Sequence, residues 1–114
     1  MRSAHAIGFS LLLASLCPIF SQAADVFWTN PAGGNWSDTN NWSGGVLPGG
    51  ADNVFIVADG TYTVALNVNA TTHALTLGGT NGIQSLTNGN STLTVTTVGS
   101  IRTNGVLKIG AGSI

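Results

Sequence analysis

Charge is what this chain has least of. Its 114 residues include three Lys or Arg and four Asp or Glu, and every acid is an aspartate. No basic stripe exists to neutralise phosphates, which excludes nucleic acid as a natural partner. There is one cysteine, Cys17, so no disulfide can form within the chain. Stability has to come from packing and hydrogen-bond ladders. Beyond the first residues no helical periodicity appears, and no apolar run approaches the ~20 residues of a membrane-spanning helix. Low charge with much Gly, Asn and Thr is a composition shared with disordered chains. Regularly spaced Val, Leu and Ile set this one apart, because a disordered segment lacks apolar residues to bury.

What is present begins with an export signal. Arg2 supplies positive charge, Ile7 to Leu16 is apolar, and Ser21-Gln22-Ala23 has the small-x-small pattern of a signal-peptidase site. Cleavage is expected after Ala23, with Ala24 the next candidate. An uncleaved anchor would need a longer apolar run, and a lipid-modified Cys17 would need a small residue in place of Leu16. Cleavage removes Arg2 and the only cysteine. It leaves Arg102 and Lys108 against Asp25, Asp38, Asp52 and Asp59, a formal charge of −2. About ninety residues then remain, enough for one small domain.

The mature chain reads as strands. In Thr61–Asn69 the alternation puts Tyr62, Val64, Leu66 and Val68 on an inner face, with Thr61, Thr63, Ala65, Asn67 and Asn69 outside. The same logic places Leu75 and Leu77, Leu93 and Val95, and Leu107 and Ile109 inside. Val54-Phe-Ile-Val57 is apolar on both faces, so the preceding segment is expected to cover it. Asp59-Gly60, Asn81-Gly82, Asn88-Gly89 and Asn104-Gly105 are strong turn signals. Turns alone do not choose between hairpins and corners.

A loose repeat helps to choose. Leu75-Thr-Leu77, Leu93-Thr-Val95 and Leu107-Lys-Ile109 read as related strand cores, 18 and 14 positions apart. Leu66, Leu86 and Leu107 are spaced by 20 and 21. Spacing near twenty, with short strands and Gly or Asn corners, predicts an all-β fold, a parallel β-solenoid (β-helix). A β-sandwich with hairpin turns is the competing architecture. The chain stops at Gly110-Ala-Gly-Ser-Ile114 in repeat-like sequence. An exposed last coil would leave backbone groups unpaired. The expectation is an N-terminal part of a longer protein, the alternative being a short secreted protein that closes by self-association.

Before the repeats stands Phe27 to Val57, a Gly- and Asn-rich segment holding Trp28, Trp36 and Trp42. Bulky aromatics joined by Asn, Gly and Ser do not make an amphipathic helix. They suggest an aromatic N-terminal cap on the open end of a β structure, each indole burying about 150–250 Å². The organisation expected is a signal peptide over 1–23, the cap over 24–57 and solenoid repeats over 58–114, an incomplete set in the sense just given. The sharper functional alternative is that Trp28, Trp36 and Trp42 are exposed and stack on sugar rings as a carbohydrate-binding platform.

Residues for other chemistry are sparse. Glycoside hydrolysis normally needs two carboxylates flanking the bond. Asp59 precedes Gly60 as a turn, Asp52 precedes a strand, and Asp38 lies among turn-forming residues. No tight acidic cluster accompanies Arg102 or Lys108, as a polysaccharide lyase would require. His73, the only mature histidine, has no cysteine or glutamate beside it to complete a transition-metal site, and reads as a surface residue at a strand start. Asn35, Asp38, Asn40 and Asn41 offer oxygens for calcium, but turn and capping roles fit their spacing better. No catalytic residue, metal or cofactor is assigned. Asn35, Asn41, Asn69 and Asn90 match the N-glycosylation pattern, which arises readily by chance in an Asn- and Thr-rich chain.

Taken together, the export signal, W-x₇-W-x₅-W with Asn41-Trp-Ser-Gly-Gly45, Pro48, and Asp52-Asn-Val-Phe-Ile56 resemble the opening of bacterial surface proteins with autotransporter-type β-helical passengers. They are similar also to large secreted β-helix proteins with autotransporter-associated repeats. The resemblance covers most of the mature chain. It implies a right-handed parallel β-helix, export to the cell surface or outside the cell, and a non-enzymatic role in display or adhesion. The partners it implies are glycans or a neighbouring cell surface. This chain has no room for a membrane β-barrel of many ~10-residue strands. A polysaccharide-active enzyme would need catalytic residues from further sequence.

Overall fold

The computed structural model describes residues 23–114; the expected signal peptide up to its last residue lies outside them. Eight strands follow one another: β1 (Asp25–Phe27), β2 (Gly34–Asn35), β3 (Asn53–Ile56), β4 (Tyr62–Ala65), β5 (Ala70–Leu77), β6 (Gln84–Thr87), β7 (Leu93–Ile101) and β8 (Gly105–Lys108). They form two four-stranded sheets, β1-β3-β5-β7 and β2-β4-β6-β8. Every strand pairing is parallel. The fold is all-β. Consecutive strands always lie in different sheets, so the Asn-Gly and Gly-Gly pairs make corners. The hairpin turns of a β-sandwich do not form among the described residues.

Register explains the uneven repeat. Val54 pairs with Leu75, 21 residues on; Val64 with Leu86, 22 on; and Leu86 with Leu107, 21 on. The three supposed strand cores are not equivalent positions. Leu75 pairs with Val54 and Gly99, Leu93 pairs with Ala70, and Leu107 lies in the other sheet. Likewise Leu86 lies beside Val64 rather than Leu66. The misreading has a physical origin. β5 and β7 are eight and nine residues long, so each carries several inward apolar residues that look alike in sequence. A bulge adds to it: Thr72 pairs with Val95 but Ala74 with Val98, leaving an extra residue in β7. The first step is longer, Val26 to Val54 spanning 28 residues, because it holds the tryptophan segment.

The inner face is built largely as alternation predicts. Tyr62, Val64, Leu66, Leu75, Leu77, Leu86 and Leu93 are buried, with Val54 and Ile56. Val95 and Leu107 are half-buried against this core, and two more expected core residues are exposed. Val68 is 38% exposed, because β4 ends at Ala65 and alternation stops with it. Ile109 is 65% exposed, beyond the end of β8 and in the last layer of its sheet. Phe55, outward in β3, stacks on Phe27 of β1 with centroids 4.8 Å apart and planes at 16°.

Turning the chain between sheets strands backbone groups inside, and buried amides meet them. Gln84 is fully buried; its Oε1 accepts from Gly79 N at 2.7 Å, and its Nε2 donates to the Gly60 and Asn81 carbonyls at 2.7 and 2.8 Å. Asn88, equally buried, donates from Nδ2 to Ser91 O at 3.1 Å and accepts at Oδ1 from Gly110 N at 2.8 Å. Stacked corners come so close that glycine is required. A Cβ on Gly79 would collide with the Val57 carbonyl, and one on Gly82, whose φ is +81°, with the Gly60 carbonyl. One polar atom is left over: Thr72 Oγ1 is buried without a hydrogen-bond partner.

Three outcomes check this packing. Leu86→Ala is expected to lower unfolding free energy in urea by about 2–5 kcal/mol. Thr72→Val keeps the shape and removes the unpaired hydroxyl, so it should be neutral or stabilising by up to about 1–3 kcal/mol. Tyr62, the only tyrosine, is pushed up from 10.0 to about 12 by burial and by the nearby Asp59 carboxylate. Its stabilising effect is complete below pH 10 and is lost as pH rises through about 12, where the folded phenol ionises. Phenolate absorbance of the native protein should therefore titrate near 12, and Tyr62→Phe should reduce the alkaline loss of stability.

Candidate functional site

The tryptophan segment is positioned by the two first strands. After β1, Trp28 N donates to Phe55 O at 2.9 Å; after β2, Trp36 N donates to Ala65 O at 2.8 Å. Trp42 lies between two single-turn 3-10 helices, Thr39–Asn41 and Ser43–Gly45. Asp38 starts the first of these by accepting from Asn40 N at 3.0 Å. Gly44 and Gly45 take left-handed φ values of 80° and 69° in the second and turn the chain away after Trp42, whereas the loop that turns at Gly33, φ 81°, returns Trp42 to Trp28.

That return closes the end of a sheet. Trp28 and Trp42 form an antiparallel bridge. On either side of it Thr29 N donates to Asn41 O at 2.8 Å and Phe27 N donates to Ser43 Oγ at 2.9 Å. The outer edge is thus covered at the C-terminal end of β1, from Phe27 to Thr29, by residues 41–43 of its own chain. A free sheet edge is a template for unwanted pairing, and a covered one is not.

Trp42 packs edge-on against both partners. Its ring centroid is 5.0 Å from that of Trp28 at 88°, and 4.8 Å from that of Trp36 at 68°. Edge-to-face contact of this kind sets the positive ring rim against the negative face. The indole nitrogens are satisfied locally, Trp28 Nε1 by Asn30 O at 2.6 Å and Trp42 Nε1 by Trp36 O at 2.8 Å. Trp28, Trp36 and Trp42 are 2%, 1% and 2% exposed. A sugar platform needs an open ring face, and none of the three offers one. The alternative of exposed, sugar-stacking tryptophans is corrected: all three belong to the buried core. Polar Asn and Gly neighbours suit either a cap or a binding loop, so the sequence left both readings open.

The polar residues around the cap are engaged in building it. Asn41 is buried, donating from Nδ2 to Asn35 O at 3.1 Å and accepting at Oδ1 from Asn30 Nδ2 at 2.9 Å. Of the oxygens considered for calcium, Asp38 Oδ1 is occupied as a helix cap and Asn41 Oδ1 by the Asn30 amide. The other carboxylates do similar work. Asp52 accepts from Gly49 N at 2.7 Å, Asp25 from Asn53 Nδ2 at 3.0 Å, and Asp59 from Thr80 Oγ1 at 3.1 Å. Among the described residues no three His, Cys, Asp or Glu converge on a metal position, and no enclosed pocket forms. His73 is not at a strand start. It sits half-buried within β5, between the two residues that flank the bulge, its N donating to Asp52 O at 2.9 Å.

Sequence reasoning did not anticipate which apolar residues mark the opposite end. β7 and β8 are the last strands of their sheets. There Ile101, Ile109 and Ile114 are 52%, 65% and 45% exposed. One more parallel bridge begins beyond β7, between Thr92 and Ser113. Leu93 N donates to Ser113 O at 2.9 Å, and Gly112 N to Gly89 O at 2.7 Å. Only the repeat-like Gly110–Ile114 sequence hinted at this surface.

Truncating the cap should therefore act on folding. Trp42→Ala is expected to cost about 3–5 kcal/mol in urea unfolding, and acrylamide should quench native tryptophan emission weakly. Strong quenching of the native protein, or an unchanged midpoint for Trp42→Ala, would overturn the assignment. Comparison with known protein families, with curated proteins and with solved structures finds no match for this chain.

Proposed function

We propose that this chain is the capped start of a right-handed parallel β-solenoid. It is exported and non-enzymatic, and serves display or adhesion in an autotransporter-like surface protein. The observation that carries this reading is the difference between the two ends. At one, residues 41–43 cover β1 and three tryptophans fill the interior. At the other, β7 and β8 have no further strand, apolar side chains face outward, and Ser113 starts a new row over Thr92. An aromatic cap at the first strands suits the beginning of a stack. Alternation of strands between two parallel sheets, at a step of 21 to 24 residues from β3 and β4 onward, supports the solenoid, and right-handed crossovers are the general rule for parallel strands.

The role is mechanical. Each layer offers its backbone groups and inner apolar row to the next, so added layers need no new nucleus. Export rests on Arg2, the apolar run to Leu16 and the Ser21-Gln22-Ala23 site. Adhesion rests on the resemblance of the Asn41–Gly45 and Asp52–Ile56 motifs, and is tied to surface location.

Two experiments test the reading. In cells expressing the chain with its leader, the protein should begin at Ala24 and be digested by protease added to intact cells. Retention of Met1 with full protection overturns export. Joining a second copy of residues 92–112 after Gly112 supplies one further layer. It should raise the urea midpoint and the m-value, since more surface is buried, while a scrambled insert of equal length should not. Equal behaviour of the two inserts rejects the extensible stack.

A further inference from the structure

Three Asn-Gly pairs stand at corners: Asn81-Gly82, Asn88-Gly89 and Asn104-Gly105. Such pairs are chemically labile, because glycine has no side chain to hinder attack by its backbone nitrogen on the asparagine Cγ. The fold treats the three unequally. Asn88 is fully buried and both its amide atoms are held, Nδ2 on Ser91 O and Oδ1 by Gly110 N. At the third pair the attacking nitrogen is engaged, Gly105 N donating to Arg102 O at 2.9 Å, and Asn104 Nδ2 donates to Gly79 O at 3.2 Å. Asn81 is exposed, and its side chain makes one long contact, Nδ2 to Asp59 Oδ2 at 3.3 Å. Gly82 N has no acceptor in the hydrogen-bond network of the described residues. Asp59-Gly60, prone to the related reaction, is restrained because Gly60 N donates to Asn81 O at 3.2 Å.

We propose that Asn81-Gly82 is a site of spontaneous covalent modification in the folded protein. Gly82 N bonds to Asn81 Cγ, the Cγ–Nδ2 bond breaks, and Nδ2 leaves as ammonia with the proton released from Gly82 N. Water then opens the succinimide ring at either carbonyl, giving aspartate or isoaspartate at position 81. No enzyme, metal or oxidant takes part.

The position makes the product disruptive. A carboxylate at 81 loses the Nδ2 donor and stands beside Asp59, so an attraction becomes a like-charge repulsion. Isoaspartate also lengthens the backbone by one carbon, at a carbonyl that accepts from Gly60 N and from the buried Gln84 Nε2. Gly82 packs directly on the Gly60 backbone there. The corner between β5 and β6 is thereby loosened, and buried Gln84 loses an acceptor.

The experiment is incubation of the purified protein at mildly alkaline pH, below its unfolding temperature. Amide-to-acid conversion is followed by peptide mapping, and isoaspartate by isoaspartyl methyltransferase labelling. The folded protein should convert Asn81 about tenfold or more faster than Asn88 or Asn104, which react only through local opening. In urea the three rates should converge. Native Asn88 or Asn104 reacting as fast as Asn81 overturns the proposal. Asn81→Asp should melt below the parent at neutral pH, and the gap should narrow in acid as both carboxylates protonate. Equal melting at both pH values would refute the loosened corner.

Discussion

Parallel pairing between layers is the constraint on which the rest of this structure depends. Each inner strand exchanges hydrogen bonds with the strand before it and the strand after it in its sheet. With no disulfide and few charges, little else can tie successive layers together. A one-residue slip would turn every inner side chain outward, so register and core composition are fixed together. Val54 beside Leu75, and Val64 beside Leu86 beside Leu107, are the apolar rows that hold it.

Corners and ends pose the harder problems. At corners the chain leaves one sheet for the other, and backbone groups inside lose their ladder partners. Gln84, Asn88 and Asn41 supply those partners from fully or nearly fully buried amides. This is an arrangement in which a polar side chain stabilises the interior, because an unpaired buried group costs more than the amide's own burial. Glycines at Gly79 and Gly82 let stacked corners touch backbone to backbone. The same openness leaves Asn81 chemically vulnerable, whereas the buried amide of Asn88 is immobilised.

The two ends of the stack are handled differently. Trp28, Trp36 and Trp42 replace the missing neighbour of the first layer, supplying volume that a row of valines could not. The antiparallel return through residues 41–43 satisfies the edge of β1. At β7 and β8 the apolar residues stay exposed. The bulge beside His73 shifts the second half of β7 by one residue. This local irregularity keeps Leu77 beside Ile101 despite the unequal spacing.

Much of the fold was legible in the sequence, because alternation records which face of a strand meets water. Tyr62, Val64, Leu66, Leu75 and Leu77 follow from it directly. Asn-Gly and Gly-Gly pairs marked where strands end, but a turn signal is local and does not say whether the chain folds back or crosses over. Nor could repeat spacing fix which leucines share a row, since strand lengths and a bulge intervene. The tryptophans were recognisable as exceptional, yet whether they cap or bind depended on exposure, a property of the surrounding layers. By itself the sequence determined the β character, the inner faces and the positions of the corners, all set by residue-to-residue periodicity. Only the tertiary structure decided the parallel register and the burial of the three indoles. The register depends on pairs of residues more than twenty positions apart and the indole cluster on an irregular loop that brings Trp42 back to Trp28, which no local pattern encodes.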